Sequence, residues 1–277
     1  MRLRGRPAKK SDLVLEGDEL VVELGPTRAA TPRASALALR FVSDDWVVAA
    51  KPAGLPTAPR NSEDTDTLAN ALVEAFPEMA AIGHRALEPG LLHRLDNGTS
   101  GLIVAARTER AFVRGTRALK ACEWNKSYLA LITNSTLPDC GILRGRLEAW
   151  PGHSKRVRSH SSISLSETTS NAVAEAGASP FETRYLTEMH LTHGLRLVRV
   201  FVGPAFRHQI RAHFSEVGAP LLNDEIYGAP REPRLGEGRH ALHAARVAWG
   251  GDPDLPGFNV TEPLAADLLA LFEGSCA

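Results

Sequence analysis

The stretch HRLDNGTSGL at residues 93–102 carries the densest set of chemically active residue types in the chain. It places Asp96 directly before a tight Gly/Thr/Ser turn, and the turn leads into the apolar residues 102–106, which predict a buried strand. A turn at the end of a strand holds a side chain at the edge of a cleft on a rigid scaffold, where nucleophiles are often found. The structural alternative is a turn in which Asp96 caps Gly98 or Thr99. The pattern therefore makes Asp96 either a reactive carboxylate or a turn residue.

Strand and helix patterns alternate on either side of this stretch. Residues 46–50 predict a buried strand that ends at Lys51-Pro52, because proline cannot donate to a strand ladder. Helices are predicted at 68–76 and from Phe112 to Cys122, and further strands at 126–133 and 196–202. Many strands with few helices predict an α+β domain built around a sheet.

The composition is that of a folded globular protein: 277 residues, 43% apolar and 23% charged, with a formal charge of zero. No apolar run reaches the roughly 18 residues that cross a bilayer, and the N-terminus lacks a signal-peptide core. Cys122, Cys140 and Cys276 have no CxxC spacing, which favours reduced thiols and argues against a structural zinc site. We expect a cytoplasmic protein without a membrane partner.

The charges are segregated along the chain. Basic residues gather near residues 2–10, 155–158 and 231–239, whereas every charge after Arg246 is acidic. A solvated surface would also show such runs, but the pattern is that of one basic and one acidic face, and a basic face suits nucleic acid.

We divide the chain into three segments. Residues 1–24 form a short β-rich piece, residues 25–36 a linker, and residues 37–277 the main domain. Within that domain, residues 152–180 are rich in Ser, Thr and Ala, so we predict a long mobile loop or an insertion there.

A second segment with chemical potential is FRHQIRAH at residues 206–213. Residues 208–217 predict a short helix with Ile210, Phe214 and Val217 on its apolar face, and Gly218 ends it. Arg211 lies at the margin of that face, so its guanidinium can reach inward to a carboxylate; an ordinary surface arginine is the alternative.

Taken together, the residues resemble the RluA-type pseudouridine synthases. The resemblance covers residues 44–247. The matching blocks, in order, are DDWVV at 44–48, KPAGL at 51–55, HRLDNGTSGL at 93–102, KSYLA at 126–130, HQIRAH at 208–213, GAP at 218–220 with Asp224 and Tyr227-Gly228, and LHA at 242–244. Residues 1–24 also resemble half of the small RNA-binding module that often precedes this domain, although its usual helices are missing.

The resemblance implies a fold and an activity. The fold is α+β, with a mixed, mainly antiparallel central sheet and flanking helices and loops around an active-site cleft. Such enzymes break the glycosidic bond of a uridine in RNA, rotate the uracil and rejoin it through carbon 5. It further implies ribosomal or transfer RNA as the partner and no cofactor or metal. Independently of the resemblance, we expect a monomer without an obligate protein partner.

The resemblance also assigns residues. Asp96 matches the catalytic aspartate, Arg211 the arginine that keeps it ionised, and Tyr128 the tyrosine that stacks on the base and assists removal of the carbon 5 proton. Arg94 matches the arginine that fills the gap left by the flipped base. His93 would orient the loop. The implied substrate contacts are His93, Arg94, Leu95, Thr99, Ser100, Lys126, His208 and Gln209.

Three alternatives stay open at this stage. A glycoside hydrolase would need a second acid at a fixed separation, for which Glu88 is a candidate outside any comparable block. A metal site from His93, His208 and His213 suffers from poor helical spacing. A non-catalytic RNA-binding protein could have kept the fold. Ala50 and residues 205–207 depart from the family pattern, which affects substrate choice more than chemistry.

Overall fold

The computed structural model describes residues 2–8, 12–21, 29–133, 136–150, 152, 156–159, 162–170, 173 and 180–272. The strands are β1 Arg2–Leu3, β2 Arg6–Pro7, β3 Leu20–Val21, β4 Ala38–Val42, β5 Trp46–Lys51, β6 Ser100–Ala106, β7 Asn125–Ile132, β8 Cys140–Arg144, β9 Leu147–Ala149, β10 Val157–Ser159, β11 Ser164–Glu167, β12 Glu182–His190, β13 Arg196–Val202, β14 Leu242–Gly251 and β15 Pro256–Thr261. The α-helices are α1 Leu68–Ala75, α2 Glu109–Lys120, α3 Gln209–Glu216 and α4 Ala266–Leu269, and 3-10 helices cover Pro77–Ala81, Thr192–Gly194 and Glu225–Tyr227.

The main sheet contains ten of the described strands. Its order is β11-β8-β12-β13-β7-β14-β6-β5-β4, and β15 pairs with β14. Neighbours run antiparallel, apart from the parallel pair of β14 and β6. The predicted α+β fold with a mainly antiparallel central sheet is confirmed.

Both faces of the sheet are buried. Side chains alternate along each strand, so each strand contributes residues to the cluster on either face. On β5, Val47 and Ala49 join the cluster that includes Leu72, whereas Trp46 and Val48 face the opposite cluster. The second cluster is aromatic: the rings of Trp46, Trp124, Trp249 and Phe258 contact one another with centroids 5.2–6.2 Å apart. The continuous apolar runs of the sequence follow from this double burial.

Threonine side chains cap the N-termini of α1 and α2. The Thr67 hydroxyl accepts a hydrogen bond from the backbone N–H of Asn70 and starts α1, and Thr108 does the same for α2 through Ala111. The helix α3 ends before Gly218, which has a φ of 76°. In the described part of the chain, no helix is long and apolar enough to cross a membrane.

The N-terminal strands form a small separate sheet in the order β2-β1-β3. Lys9, Lys10 and residues 22–28 lie outside the described residues. The described end of the expected linker is bonded to the main domain: Ala30 donates its N–H to the Ala86 carbonyl, and Asn70 donates to the Thr31 carbonyl at 2.7 Å.

Residues 152–180 are not simply a loop. This stretch contains β10, which pairs with β9, and β11, which adds an edge strand to the main sheet against β8. The sequence pattern did not indicate β11, because this strand is an exposed, Ser-rich edge with a single large apolar residue, Leu165. His153, Lys155 and His160 lie outside the described residues, whereas Arg156 lies over the rings of Trp150 and Tyr227.

Candidate active site

A cavity of about 790 Å³ opens beside one end of the main sheet. Its wall is formed by residues 92–99, the C-terminal turn of α2, the start of β7, residues 204–211 and residues 238–242. The two segments singled out in the sequence therefore meet across one cavity, although 115 residues separate Asp96 from Arg211.

The turn that carries Asp96 is fixed through its backbone. Thr99 donates its N–H to the Asp96 carbonyl, and the buried Lys51 ammonium donates to the carbonyl of Asn97. Arg239 donates to the Gly98 carbonyl at 2.7 Å. A side chain at Gly98 would collide with the Gly238 carbonyl and the His240 ring. The structure needs glycine here for close approach.

The Asp96 carboxylate points into the cavity, toward Arg211. Nη1 of Arg211 donates to Oδ2 of Asp96 at 2.8 Å, and the Asp96 side chain is 26% exposed. The structural alternative, in which this carboxylate caps its own turn, is not what the structure has: the turn bond uses the main-chain carbonyl of Asp96.

Arg211 is held in place by a second carboxylate. Its Nε and Nη2 donate to the two oxygens of Asp224 at 2.7 and 2.8 Å, and both side chains are buried. A bidentate pair fixes the guanidinium plane, because both N–H bonds must stay in the plane of the carboxylate. One N–H group, on Nη1, therefore faces Asp96 in a fixed direction.

The surroundings keep Asp96 ionised. Burial alone would raise its pKa, but basic neighbours and the hydrogen bond from Arg211 outweigh burial, so the pKa lies below its ordinary value. These basic neighbours are His208, Arg211 and His240. Burial lowers the pKa of His208 to about 4 and that of His240 well below its usual range, so Arg211 is the neighbour that is charged at neutral pH.

Tyr128 faces the same cavity from β7. It is 7% exposed, and burial followed by the negative charge of Asp96 raises the pKa of its hydroxyl above the ordinary value. The phenol is therefore neutral at physiological pH. Its ring offers an aromatic face beside the carboxylate.

Two histidines flank the carboxylate. Nε2 of His208 lies 3.6 Å from Asp96, and its Nδ1 lies 3.1 Å from the hydroxyl of Tyr227. His240 forms a hydrogen bond with the Thr99 hydroxyl at 2.8 Å. Both rings support the turn and the cavity wall in their neutral form.

Most of the predicted substrate contacts line the cavity, but some of their side chains are buried or already hydrogen-bonded within the protein. Leu95 is buried in the core, and the Thr99 hydroxyl is bonded to His240. The Gln209 amide is bonded on both sides, accepting from the Phe206 N–H and donating to the Glu182 carbonyl. These side chains shape the wall.

Ser100 does not line the cavity. Its hydroxyl is buried in a bonded set with Nη2 of Arg239 at 3.0 Å and Nδ1 of His243 at 2.9 Å. The structure therefore does not bring the Ser100 hydroxyl to the cavity, and its contact with substrate stays a prediction. Alternation along β6 turns Ser100 to the side opposite Thr99.

The cavity is strongly cationic. Of the described residues that line it, Asp96 is the one carboxylate. The cationic side chains around it are Arg60, Arg94, Lys120, Lys126, Arg207 and Arg211. Arg94 is exposed at the edge and pairs with Glu88 at 2.9 Å. Such a balance favours a polyanionic ligand.

The three histidines of the alternative metal site do not converge. His93 and His208 line the cavity, whereas Nε2 of His213 is bonded to the Gly145 carbonyl at 3.0 Å. Among the described residues, no three His, Cys, Asp or Glu side chains are grouped to hold a metal ion.

Sequence reasoning missed the residues that support the site from behind. Asp224 stood in a matching block without a role, and Lys51, Arg239 and His240 had none either. Burial is what distinguishes them: Asp224 is 2% exposed, Lys51 is 1% exposed and Arg239 is 4% exposed. A charged residue in a run of apolar or turn residues is a weak signal for such burial.

Comparisons with known proteins agree with this geometry. Residues 45–216 match the family described as RNA pseudouridylate synthase. The ribosomal large subunit pseudouridine synthase D of Neisseria meningitidis serogroup B is 31% identical over 258 residues, covering 88% of this chain and 63% of that protein. An uncharacterized RNA pseudouridine synthase of Mycobacterium bovis is 28% identical over 97% of this chain and 83% of its own length.

Solved structures show the same fold. The human RNA pseudouridylate synthase domain containing 1 has a TM-score of 0.60 and 21% identity, covering 89% of each chain. The chain spans 63% of the length of the Neisseria relative. The family resemblance inferred from the sequence blocks is confirmed. The family match covers more than half of the chain and includes both Asp96 and Arg211, so the chain belongs to the RNA pseudouridylate synthase family.

Proposed function

We propose that this protein isomerises uridine to pseudouridine in RNA, with Asp96 as the catalytic carboxylate. The observation that carries the proposal is the ion pair of Asp96 and Arg211 inside a cationic cavity. An aspartate held ionised by a fixed arginine suits attack on, or stabilisation of charge at, an anomeric carbon.

The reaction balances without any other reactant. The bond between N1 of uracil and C1′ of the ribose breaks, the base turns, and a bond forms between C5 and C1′. The proton on C5 leaves and N1 takes up a proton, so substrate and product have the same atoms. Asp96 stabilises or captures the electron-poor C1′ between these two steps.

Tyr128 and Arg94 complete the proposed handling of the nucleotide. The neutral ring of Tyr128 suits stacking on the uracil, and its hydroxyl suits hydrogen bonding rather than action as a phenolate. Arg94, exposed at the cavity edge, suits the gap that a flipped base leaves in the RNA. Flipping costs a few kcal/mol, so a side chain in the gap offsets part of that cost.

The proposed partner is ribosomal or transfer RNA. Exposed Arg60, Lys120 and Arg207 around the cavity suit phosphates on either side of the flipped nucleotide. The name of the Neisseria relative specifies the large ribosomal subunit, which favours ribosomal RNA as the first RNA to test. A monomer located in the cytoplasm stays our expectation.

We propose that residues 1–24 add to RNA binding and not to chemistry. Arg2, Arg4 and Arg6 bring positive charge to this segment, although Arg4 pairs with Asp18 and Arg6 pairs with Asp12. Removal of residues 1–24 is expected to weaken RNA binding while the single-turnover rate of bound RNA is unchanged. A collapse of that rate would assign the segment to the catalytic domain instead.

Release of tritium from RNA labelled at C5 of uridine tests the function directly. Isomerisation liberates that hydrogen, whereas glycoside hydrolysis or simple binding leaves it on the base. We expect release that depends on protein and a pseudouridine in the digested RNA. Binding without release would make this chain an RNA-binding protein that kept the fold. Hydrolysis is disfavoured because Glu88, the second acid considered, pairs with Arg85 and Arg94 instead of lining the cavity.

A further inference from the structure

Lys126 is a buried cation without a partner in the described part of the chain. It is 8% exposed, it lines the cavity, and its side-chain nitrogen forms neither a hydrogen bond nor an ion pair with the residues that the structure describes. Burial lowers the pKa of Lys126 to about 8, an effect that the neighbouring Cys122 opposes, so the amine is mostly protonated at neutral pH. A buried charge without a partner is costly, and proteins keep such groups where a ligand completes them. The remaining exposure of Lys126 faces the cavity.

His93 presents a second donor beside it. The backbone N–H of Val104 donates to Nε2 of His93 at 3.1 Å, so Nε2 carries no proton. Burial and the nearby charge of Lys126 lower the pKa of His93 to about 3, which keeps the ring neutral. In a neutral imidazole the single proton then lies on Nδ1, so Nδ1 is a hydrogen-bond donor. No described hydrogen bond uses Nδ1.

The two donors lie close to where the base would stack. Lys126 and Tyr128 are two residues apart on β7, so they project from the same face of the strand about 7 Å from each other. His93 is near enough to feel the charge of Lys126, and it lies three residues before Asp96. All three residues line the same cavity, so a uracil stacked on the Tyr128 ring would enter the space that both donors border.

We propose that Lys126 and His93 form a two-donor subsite for a carbonyl oxygen of the target uracil. The inference rests on the proposed function. When the bond between N1 and C1′ breaks, its electron pair stays on the base, and the detached uracil is an anion whose charge is spread over N1 and the carbonyl oxygens. The ammonium and Nδ1–H donate to such an oxygen. When C5 joins C1′, the electron pair goes to the sugar and the charge disappears, so neither donor needs to lose its proton.

A backbone phosphate is the weaker candidate for this subsite. Phosphates remain on the outside of a cavity that a nucleoside enters, and exposed Arg60, Lys120 and Arg207 meet them there. Lys126 is buried on the wall next to the aromatic face. Its position matches the base better than the backbone.

Lys126→Met tests the subsite, because methionine fills a similar space without charge or donor. Three quantities are measured: the single-turnover rate of tritium release, the Kd for the uridine RNA, and the Kd for the same RNA with an abasic ribose at the target. We expect the rate to fall about 100- to 1,000-fold, as for loss of one oxyanion donor. The two Kd values should change by less than about threefold, since most affinity comes from phosphates. Lys126→Gln, which keeps a neutral donor, should recover part of the rate.

Thermal unfolding separates this role from a structural one. Removal of an unpartnered buried charge should raise the Tm, whereas loss of a structural contact would lower it. Lys120→Met, at an exposed lysine of the cavity edge, is the matched control. It should weaken the binding of the uridine RNA and the abasic RNA equally.

Two results would overturn the subsite. In the first, Lys126→Met weakens the binding of the uridine and abasic RNAs equally and leaves the rate at saturation unchanged. Lys126 would then be a phosphate contact. An unchanged rate together with unchanged Kd values would leave it no role in the reaction. Absence of tritium release from the unaltered protein would instead contradict the proposed function, and the subsite with it.

Discussion

Nη1 of Arg211 lies 2.8 Å from Oδ2 of Asp96, although the two residues belong to segments 115 positions apart. The same guanidinium is clamped by Asp224 through its other edge. A buried cation that pairs with two carboxylates recovers more of the cost of its burial than it would with one carboxylate alone. The arrangement gives a carboxylate of fixed charge and direction at the mouth of a cationic cavity.

Asp96→Asn is expected to abolish tritium release while the fold is kept. Asparagine is nearly isosteric and tolerates the same turn, but an amide neither attacks nor stabilises an electron-poor carbon. RNA affinity should stay the same or rise slightly, because a negative charge is removed. Single-turnover release, RNA binding and thermal unfolding check the outcome. Measurable release by a well-folded variant would return Asp96 to the role of a turn residue.

Asp224→Asn should loosen Arg211 and act on Asp96 indirectly. Breaking a buried pair costs about 3–5 kcal/mol in the free energy of unfolding, measured by urea denaturation. A misplaced guanidinium should also slow tritium release on the order of 100-fold. Asp252→Asn is the control: it breaks a pair with Arg114 in which neither residue lines the cavity, and it should cost less stability than Asp224→Asn without slowing release. Equal effects of both variants would remove the special role of Asp224.

Arg211→Lys keeps a positive charge but loses the planar group that reaches both carboxylates. We expect a partial defect in single-turnover release, smaller than that of Asp96→Asn. A complete loss would mean that the direction of the N–H group, and not only its charge, is required.

Tyr128→Phe separates the ring from the hydroxyl. Stacking worth about 1–3 kcal/mol stays in phenylalanine, so the Kd for RNA should hold. A slower chemical step at unchanged Kd would then assign proton handling to the hydroxyl. Tyr185→Phe, whose hydroxyl donates to the Pro138 carbonyl in the core, controls for general effects of losing a phenol. Weaker binding by Tyr128→Phe would point to a structural role for its hydroxyl.

Burial lowers the pKa of Lys51 to about 7, so the acidic side of the pH profile should be flat only below that value, from about pH 6 to about 5. The pKa of Asp96 lies below its ordinary value, so activity is lost only when the pH falls through that lowered pKa. His93, with a pKa of about 3, and His208, with a pKa of about 4, also titrate below this range. Single-turnover rates at saturating RNA check this. An acidic limb centred above about pH 5 would mean that a group other than Asp96 must be deprotonated for the reaction.

The sequence by itself determined the fold class, the family and the two segments that meet at the cavity. Strands such as β5 and β6 contain continuous apolar runs because both faces of the sheet are buried, and that signal is local. The residue types of the turn at Asp96 and of the helix at Arg211 are local as well. Edge strand β11 was not predicted, because a strand at an exposed edge needs few apolar residues.

Only the tertiary structure decided which side chains face the cavity and which support it. Ser100 and Thr99 are adjacent in sequence, yet the strand turns one toward Arg239 and the other toward the cavity wall. Contacts between segments that are distant in the chain decide that Asp224 holds Arg211 and that Lys126 has no hydrogen-bond or ion-pair partner among the described residues. Burial and charge pairing are properties of such contacts, so no spacing within one segment could have revealed them.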